Sequence, residues 1–397
     1  MSKRILLLTF FYPPDLSAGS FRALALVEAL RRRAGADIQI DVLTTQPNRY
    51  ACHASEVDSS EESPGLYVRR VHLPQMREGF VGQAISFWRY ARRVRCLTTA
   101  GNYDLVVATS SRLMTAVLGA WVAYRRKAQL YLDIRDIFVE NLNVLFPRWV
   151  AAPLRWTFGS LERSAIVRAD RVSLVSRGFL GYFQPRYPMR HFPVFSNGVD
   201  ETFVRFTADM QKALPRPVTE PVQVLYAGNL GDGQGMHLIL PELARRLRGR
   251  AHFRVVGAGG RLEPLREALR SMGLDNVDLF SPVAREQLLE FYREADVLFL
   301  HLNDYPAFKR VLPSKLFEYA ATGKPIWAGV AGYAAEFVAA EVADAAVFAP
   351  CDIQGALDSF ERLALQSSDR SDFVCRYART RIMNEMAQDI LQLLEPA

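Results

Sequence analysis

The chain has 397 residues, of which half are hydrophobic and 23% are charged, the balance of a folded globular protein with two or three domains. Its formal net charge of +7 is uneven, because residues 1–198 hold 27 Lys and Arg against 15 Asp and Glu, whereas the remainder holds 22 against 27. The basic first half suits an anionic partner such as lipid, phosphorylated substrate or nucleic acid, although an arginine-rich composition without such a partner is an alternative.

Signals for export, disulfides and membrane spans are absent from the sequence pattern. The chain has four widely separated cysteines, Cys52, Cys96, Cys351 and Cys375. Their unpaired spacing argues against a zinc site or a disulfide framework and fits a reducing cytoplasm. The N-terminal apolar run ILLLTFF is followed by two prolines and lacks a small-residue cleavage site, so it indicates a buried strand. No stretch approaches the ~18 apolar residues of a spanning helix.

Short apolar runs alternate with helical patterns along the whole chain, which predicts an α/β protein with doubly wound parallel sheets. The expected strands of the first half are RILLLTF, IQIDVLT, LYVRRVHL, DLVVAT, AQLYLDI and RVSLVS. Those of the second half are VQVLYAG, HFRVVGA, NVDLF, ADVLFLHL, PIWAGV and AAVFA. A proline-containing loop expected over 203–221 separates the halves. We predict one domain over 1–200, a second over 201–371, and a closing helical segment over 372–397.

In such sheets ligands bind beyond the carboxyl ends of the strands, and two domains offer a cleft between their loops. In the first half, Gly19 begins a helix directly after the first strand, where a phosphate could approach. The stretch YLDIRDIFVEN places Asp133, Arg135, Asp136 and Glu140 near a strand end, which makes them candidates for acceptor binding or acid–base chemistry, with simple surface exposure as the alternative.

The stretch FVGQAISFWRYARRVRCL, residues 80–97, mixes aromatic side chains with four arginines. A basic amphipathic helix with aromatic residues is typical of binding at an anionic membrane surface. The alternative is a crossover helix that packs its aromatic residues on the sheet. The arginines in question are Arg89, Arg92, Arg93 and Arg95.

Two glycine-containing loops follow strands in the second half, YAGNLGDGQG and VVGAGG. Glycines there allow the backbone to approach a ligand closely before a helix begins. The spacing matches neither the dinucleotide fingerprint nor a phosphate-binding P-loop, so the glycines alone do not specify a ligand. A mobile turn is the alternative.

The stretch LPSKLFEYAATGKPI, residues 312–326, is the most informative part of the sequence. On a helix, Ser314, Lys315, Glu318 and Thr322 share one arc, while the apolar residues occupy the other side. The helix start offers free N–H groups beside Lys309, Arg310 and Lys315, which suits a diphosphate, and a carboxylate one turn later can accept from ribose hydroxyls. A solvated polar stripe is an equally good interpretation of this helix alone.

These motifs together resemble the GT-B retaining glycosyltransferases of family 4, and among them the bacterial transferases that build O-antigen, capsule or exopolysaccharide, such as N-acetyl-fucosaminyl or N-acetylglucosaminyl transferases. FYPPDLSAGSFR resembles their first strand and glycine loop, FSNGVDETF their Asn-Gly-Val-Asp signature, and YAGNLGDGQG their donor loop. LPSKLFEYAATGKPI resembles the subgroup's most specific motif. The resemblance covers nearly the whole chain and implies two Rossmann-like domains, with a last helix that crosses back to the first.

The chain departs from the family pattern at two places. The wider family has two Glu residues with seven residues between them; Glu318 matches the second, but Arg310 stands at the first. The family's cationic donor-loop residues are replaced by Asn229 and Gln234, so these two positions carry no positive charge for the usual diphosphate contacts. Lys309, Arg310 or Lys315 could supply that charge instead.

The resemblance implies a glycosyltransferase that moves a sugar from a nucleotide-sugar, most simply a UDP-sugar, with retention and without a metal or other cofactor. Glu318 would hold the ribose, the loops at Gly257 and 281–283 would flank the base, and Asp136 and Lys315 are the candidate catalytic residues. The expected donor-binding residues are Gly19, Gly228, Asn229, Gln234, Gly257, Ser281, Val283, Lys309, Arg310, Leu312, Pro313, Ser314, Lys315 and Glu318. The expected acceptor-side or membrane-side residues are Arg22, Arg135, Arg89, Arg92 and Arg93.

The implied acceptor is a lipid-linked saccharide at the cytoplasmic face of the membrane, where the protein would sit peripherally through its N-terminal domain. One alternative is a sugar-nucleotide 2-epimerase, which shares the two-domain fold but needs acidic and histidine residues that do not cluster in this sequence. Another is a non-catalytic subunit that binds a sugar nucleotide. Nucleic-acid binding is disfavoured, because the basic residues form no recognised module.

Overall fold

A computed structural model describes residues 3–15, 17–46, 58–73, 80–99, 101–110, 112–212 and 220–395. The chain forms two compact units, the first comprising 1–197 with 379–397 and the second comprising 198–378. The first boundary lies three residues before the predicted one at 200. The closing segment is divided, since residues 372–378 stay with the second unit and only the last helix joins the first.

The first unit contains a seven-stranded sheet in the order β3-β4-β2-β1-β5-β6-β7, parallel except for the β3–β4 pair. Its strands are β1 Lys3–Leu8, β2 Ile38–Thr45, β3 Ser60–Ser63, β4 Leu66–Val71, β5 Leu105–Ser110, β6 Gln129–Ile134 and β7 Arg171–Leu174. The central strand β1 is buried from Ile5 onward, as its continuous apolar run requires in a parallel sheet covered on both faces. Strand β3, sequence SEES, was missed, because a short exposed edge strand needs no apolar run.

Helices of the first unit, numbered in chain order, are α1 Ala18–Ala34, α2 Phe80–Leu97, α3 Leu113–Arg126, α4 Phe138–Leu145, α5 Arg148–Arg168, α6 Leu180–Phe183 and α15 Arg379–Leu391. Helix α1 begins at the N-cap Ser17, whose side chain accepts from the Ser20 N–H. Helix α15 buries Ile382, Met383 and Met386 and packs along α1. The last helix therefore completes the hydrophobic core of the first unit.

The second unit contains a six-stranded, fully parallel sheet in the order β10-β9-β8-β11-β12-β13. Its strands are β8 Val222–Ala227, β9 Ala251–Val256, β10 Val277–Phe280, β11 Val297–His301, β12 Ile326–Gly329 and β13 Ala345–Phe348. Its helices are α7 Glu201–Lys212, α8 Met236–Arg246, α9 Leu262–Ser271, α10 Arg285–Glu294, α11 Ser314–Ala321, α12 Tyr333–Glu341, α13 Ile353–Glu361 and α14 Ser371–Arg376. The predicted α/β class with two doubly wound sheets is confirmed, and all twelve expected strands are present.

The loop expected over 203–221 is wrong in its first half, where helix α7 lies. Phe203 and Phe206, one turn apart, are buried, and Phe203 packs edge-to-face on Tyr292 with ring centroids 5.4 Å apart. The two phenylalanines give the segment one apolar helical face, which its neighbouring prolines obscured. Residues 213–219 lie outside the described part of the chain.

Candidate functional site

The donor loop, residues 228–235, connects β8 to α8 at the carboxyl edge of the second sheet. A Cβ at Gly257 would lie 1.9 Å from the Gly228 carbonyl oxygen, so only glycine lets β9 pass this close to the loop. Gly235, with φ of +61°, is the N-cap of α8 and turns the chain into that helix. The glycines therefore serve first to pack the loop tightly, which leaves its backbone well ordered for a ligand.

Asn229 and Gln234, which stand where the family has cations, hold each other across the donor loop. Their side-chain amides lie 2.8 Å apart, and the Gly231 N–H donates to Gln234 Oε1 at 3.2 Å. Two neutral amides thus brace the loop internally. They add no charge that could bind a diphosphate.

His301 forms a hydrogen bond to the same loop. It was not predicted as a site residue. It is buried at the end of β11, its Nδ1–H donates to the Gln234 carbonyl at 2.6 Å, and its Nε2 accepts from the Cys351 N–H at 3.0 Å. Burial lowers the pKa of His301 to about 4, so the ring is neutral at physiological pH, as these two bonds require. The sequence did contain a signal for His301, because it is a polar residue at the end of an otherwise apolar strand.

Asn303 continues this support two residues later. Its Nδ2 donates to the Asp232 carbonyl and its backbone N–H donates to the Gly233 carbonyl, both at 2.9 Å. Together with His301 it ties three consecutive donor-loop residues to the end of β11. The loop is therefore a rigid element of the second unit.

Helix α11 carries the predicted polar pair. Lys315 Nζ lies 2.7 Å from Glu318 Oε2, and the two side chains are 29% and 18% exposed. Burial works to lower the pKa of the Lys315 ammonium, but the Glu318 carboxylate and two nearby tyrosines outweigh it and hold that pKa above its usual value. The opposite face, with Leu316, Phe317 and Ala320, is completely buried. The structure thus brings the predicted charges together on the less buried face.

Buried tyrosines fix α11 against the start of the donor loop. Tyr319 Oη accepts from the Ala227 N–H at 3.0 Å, at the last residue of β8. Tyr226 donates to the Asn229 carbonyl at 2.6 Å, and Lys315 Nζ lies 3.5 Å from the Tyr292 hydroxyl. Burial raises the pKa of all three phenols, so they remain neutral. These tyrosines were missed, because in the sequence they read as ordinary core residues.

Of the predicted cations before α11, Lys309 is 54% exposed and lies 3.8 Å from Asp304, while Arg310 is half-buried. A further cation, Arg261, was not predicted. It forms a bidentate pair with the donor-loop carboxylate Asp232, which lowers the pKa of that carboxyl. The β9–α9 loop therefore supplies a guanidinium that pairs with a carboxylate of the donor loop.

The remaining predicted residues of the second unit lie in loops at the same sheet edge. Leu312 is buried and Pro313 is the N-cap of α11, so the helix begins at Ser314. Ser281 is exposed and Val283 is half-buried, in the loop between β10 and α10. Thr322 does not belong to the polar arc: it is buried after the end of α11, and its hydroxyl donates to the Tyr319 carbonyl.

In the first unit, Gly19 and Arg135 are brought together at the start of α1. A Cβ at Gly19 would lie 2.9 Å from Arg135 Nη1, so the glycine makes room for the guanidinium. Burial and the nearby Arg22 lower the pKa of Arg135 to about 10, and its buried Nε has no hydrogen-bond partner in the described ranges. A cation at a helix N-terminus is unfavourable alone and suits a site that takes an anion.

The prediction for Arg22 requires correction. Arg22 is 1% exposed and forms a bidentate ion pair with the fully buried Asp133, at 3.0 Å and 2.9 Å, while its Nη1 donates to the Ser196 carbonyl. A side chain with this burial cannot contact lipid. Asp133 is likewise a structural carboxylate, because its oxygens are engaged by Arg22 and Ser173.

Asp136, the candidate catalytic carboxylate, lies directly before α4. Burial raises its pKa to about 6, against the opposing effect of hydrogen bonds from the Asn141 amide at 3.1 Å and 3.3 Å. No cation is paired with it in the described part of the chain. A carboxyl whose pKa lies near 6 can exchange a proton near neutral pH, which suits acid–base chemistry.

The raised pKa predicts a specific pH dependence of stability. Between about pH 4 and 6 the folded chain binds a proton at Asp136 that the unfolded chain has released, so its contribution to the free energy of unfolding falls as pH rises. Asp136→Asn should therefore reduce the change in the free energy of unfolding across this pH window by on the order of 1–3 kcal/mol. Urea unfolding at a series of pH values measures it. Glu162→Gln is the matched control. Burial raises the pKa of the Glu162 carboxyl to about 7, so the effect of this substitution on the free energy of unfolding should extend to higher pH. Identical profiles for Asp136→Asn and wild type would refute the assignment.

Helix α2 has the predicted bounds, and Arg89, Arg92 and Arg93 are exposed. The crossover-helix interpretation is confirmed for the inner face of α2, whereas membrane binding stays a prediction. Phe87 and Tyr90 pack on the sheet, and the Tyr90 hydroxyl donates to the Leu43 carbonyl at 2.7 Å. The outer face keeps Trp88, 60% exposed, among the arginines. No helix within the described ranges combines the length and apolar character needed to cross a bilayer.

Comparisons with known proteins agree with this geometry. The glycosyl transferase 4-like domain family matches residues 19–198, and the family "Glycosyl transferases group 1" matches residues 209–380. WcaI of Escherichia coli (strain K12), whose name assigns it to colanic acid biosynthesis as a glycosyl transferase, is 28% identical over 171 residues. That alignment spans 41% of each chain, so the chain matches well under half of this curated relative.

Solved structures show the fold across nearly the whole length. Anabaena HepE, in complex with UDP, has a TM-score of 0.65 at 17% identity and covers 98% of this chain and 99% of its own. A Listeria monocytogenes structure assigned as a UDP-N-acetylglucosamine 2-epimerase has a TM-score of 0.57 at 14% identity and covers 99% and 96%. The fold is thus shared with an isomerase, whereas the two matching families are both glycosyltransferase families. Their domains lie in succession on the two parallel-sheet units, and together they indicate a glycosyltransferase of the GT-B fold.

Proposed function

We propose that the protein transfers a sugar from a UDP-sugar, with retention, onto a lipid-linked saccharide during synthesis of a surface polysaccharide. The observation that carries this proposal is the Lys315–Glu318 pair, held at the start of α11 beside a rigid glycine loop. The Lys315 ammonium and the free N–H groups of the helix start would stabilise charge on the departing diphosphate. Glu318 would accept from ribose hydroxyls.

The donor and the pathway rest on the relatives. HepE is bound to UDP and WcaI is named for colanic acid biosynthesis, which supports a UDP-sugar donor and a saccharide acceptor here. We propose that Gly19 and Arg135 form an anion-binding element of the first unit, and that Asp136 is a catalytic carboxylate. The exposed α2 arginines would hold the protein peripherally at the cytoplasmic face of the membrane, close to its acceptor.

The donor proposal predicts that UDP binds without a metal ion. Isothermal titration of the full chain with UDP should give the same affinity with and without a chelator, because cationic side chains and backbone N–H groups take the role of a metal. GDP and ADP should bind more weakly. Loss of UDP binding on chelation would overturn metal independence, and tighter GDP or ADP binding would overturn the choice of nucleotide.

The epimerase alternative has a direct discriminating test, since that fold is shared. An epimerase converts a UDP-sugar incubated alone, whereas a transferase requires an acceptor. Incubation with each UDP-sugar, with and without a membrane extract, therefore separates the two. UDP binding without turnover in any extract would instead indicate a non-catalytic subunit.

A further inference from the structure

The exposed aromatic residues of the protein are concentrated on one part of the first unit. Seven of the ten large hydrophobic side chains that the described part of the chain exposes lie on just three helices, α2, α3 and α5. Four of the five tryptophans are among them, with exposures of 60% for Trp88, 37% for Trp121, 80% for Trp149 and 77% for Trp156. The fifth, Trp327, is fully buried in the second unit.

These three helices form one continuous surface. The crossovers β4–α2–β5, β5–α3–β6 and β6–α5–β7 run in the same direction along the sheet, so right-handed connections place their helices on one face. Helix α3 packs between α2 and α5. Two cation–π contacts join neighbouring helices. Between α2 and α3, the Arg95 guanidinium lies 4.8 Å from the Trp121 ring centroid. Between α5 and α3, the Arg168 guanidinium lies 5.1 Å from the Tyr124 ring centroid. We name α2, α3 and α5 together the three-helix face.

The charge of the three-helix face has a single sign. The three helices contain ten arginines and one carboxylate, Glu162, which is 5% exposed and hydrogen-bonded to Tyr182. Nine of the arginines are exposed. A second copy of the chain on this face would bring arginines against arginines, so the charge disfavours a symmetric dimer. An anionic bilayer complements it, and indole rings favour the level of lipid headgroups.

We propose that the three-helix face docks flat on an anionic bilayer, with Trp149 and Trp156 of α5 as its main interfacial anchors. This inference rests on the proposed function, which needs the enzyme at a membrane, and it extends the lipid contact from α2 to three helices. Trp149 and Trp156 lie two helical turns apart, each next to an arginine, Arg148 or Arg155. The indoles enter the headgroup layer while the guanidinium groups bind lipid phosphates.

Sedimentation with vesicles tests this proposal. The full chain should bind equimolar phosphatidylglycerol–phosphatidylcholine vesicles in a salt-sensitive manner and bind pure phosphatidylcholine weakly. The variant Trp149→Ser/Trp156→Ser should lose roughly tenfold or more in vesicle affinity. The matched control Leu238→Ser/Met272→Ser removes two exposed apolar side chains from the second unit, which are 54% and 37% exposed, and should bind like wild type.

A spectroscopic readout separates insertion from simple attraction. Brominated lipids should quench the fluorescence of the bound protein, and the Trp149→Ser/Trp156→Ser variant should lose most of that quenching. Equal vesicle binding by the variant and wild type would overturn the proposal, as would a salt-insensitive interaction. Self-association through this face, seen as a dimer in sedimentation velocity that the variant abolishes, without vesicle binding, would also overturn it. Titration of the same variants with UDP separates the membrane proposal from the proposed function. The variants should bind UDP as the wild type does. If the wild-type protein failed to bind UDP, that result would contradict the proposed function and leave the membrane proposal untouched.

Discussion

Glu318→Gln should lower the affinity for UDP and UDP-sugars roughly 10- to 100-fold. A carboxylate that accepts from ribose hydroxyls makes charge-assisted hydrogen bonds worth about 1.5–3 kcal/mol, and each ~1.4 kcal/mol is a factor of ten. Gln keeps the length and helix propensity of the side chain, so α11 itself should persist. Isothermal titration with UDP measures the effect directly.

The Lys315–Glu318 ion pair implies that Glu318→Gln also affects stability, which the helical pattern alone did not indicate. Glu318 is the counter-ion of the half-buried Lys315, 2.7 Å away, so its neutralisation leaves that ammonium without a carboxylate. We therefore expect a stability loss on the order of 1 kcal/mol in addition to the loss of affinity. Lys315→Ala should reduce turnover more than UDP binding, because its charge would act mainly on the departing diphosphate.

Glu290→Gln provides the matched control for Glu318→Gln. Glu290 pairs with Arg293 three residues later on α10, in the same i,i+3 arrangement, but both side chains are exposed. Its neutralisation should change stability by less than about 1 kcal/mol and leave UDP affinity unchanged. Native UDP affinity in Glu318→Gln would mean that the polar face of α11 is a solvated stripe, and the proposed function would lose its main support.

Local periodicity explains why so much of α11 was predictable. Leu316, Phe317 and Ala320 repeat at helical spacing, so the buried face followed from sequence alone. The order of the strands along each sheet and the pairing of Lys315 with Tyr292 depend on contacts between distant segments. His301 was overlooked for a similar reason: its two partners, Gln234 and Cys351, are 67 and 50 residues away.

Arg22 shows the limit of motif-based prediction more sharply. Its position after the glycine loop suggested the acceptor side, but its partner Asp133 is 111 residues distant and no local pattern joins them. Conversely, the charged stretch around Asp133 contains one buried ion-pair member, one cation at a helix start and one carboxyl with a raised pKa. Neighbouring charges of one motif thus acquire different roles, because Asp133 lies within β6 whereas Arg135 and Asp136 lie in the loop that follows it.

The buried Arg22–Asp133 pair leads to the largest stability effect that we predict. Asp133→Asn should destabilise the first unit by about 3–5 kcal/mol, because it leaves an uncompensated guanidinium in a site 1% exposed to solvent. Arg135, whose pKa is already lowered by burial and by Arg22, would add repulsion once the carboxylate is removed. For a unit of this size, each kcal/mol corresponds to roughly 2–4 °C in Tm.

Urea unfolding with separate probes for the two units measures this loss, since one transition need not describe both. The control is Glu263→Gln, which breaks an exposed pair with Arg266 and should cost less than about 1 kcal/mol. The double variant Arg22→Met/Asp133→Leu should recover part of the stability, because apolar residues of similar volume avoid the cost of an unpaired buried charge. If Asp133→Asn cost no more than the exposed control, then the Arg22–Asp133 pair would contribute little, and the first unit would owe its stability to the packing of α1 and α15 on the sheet.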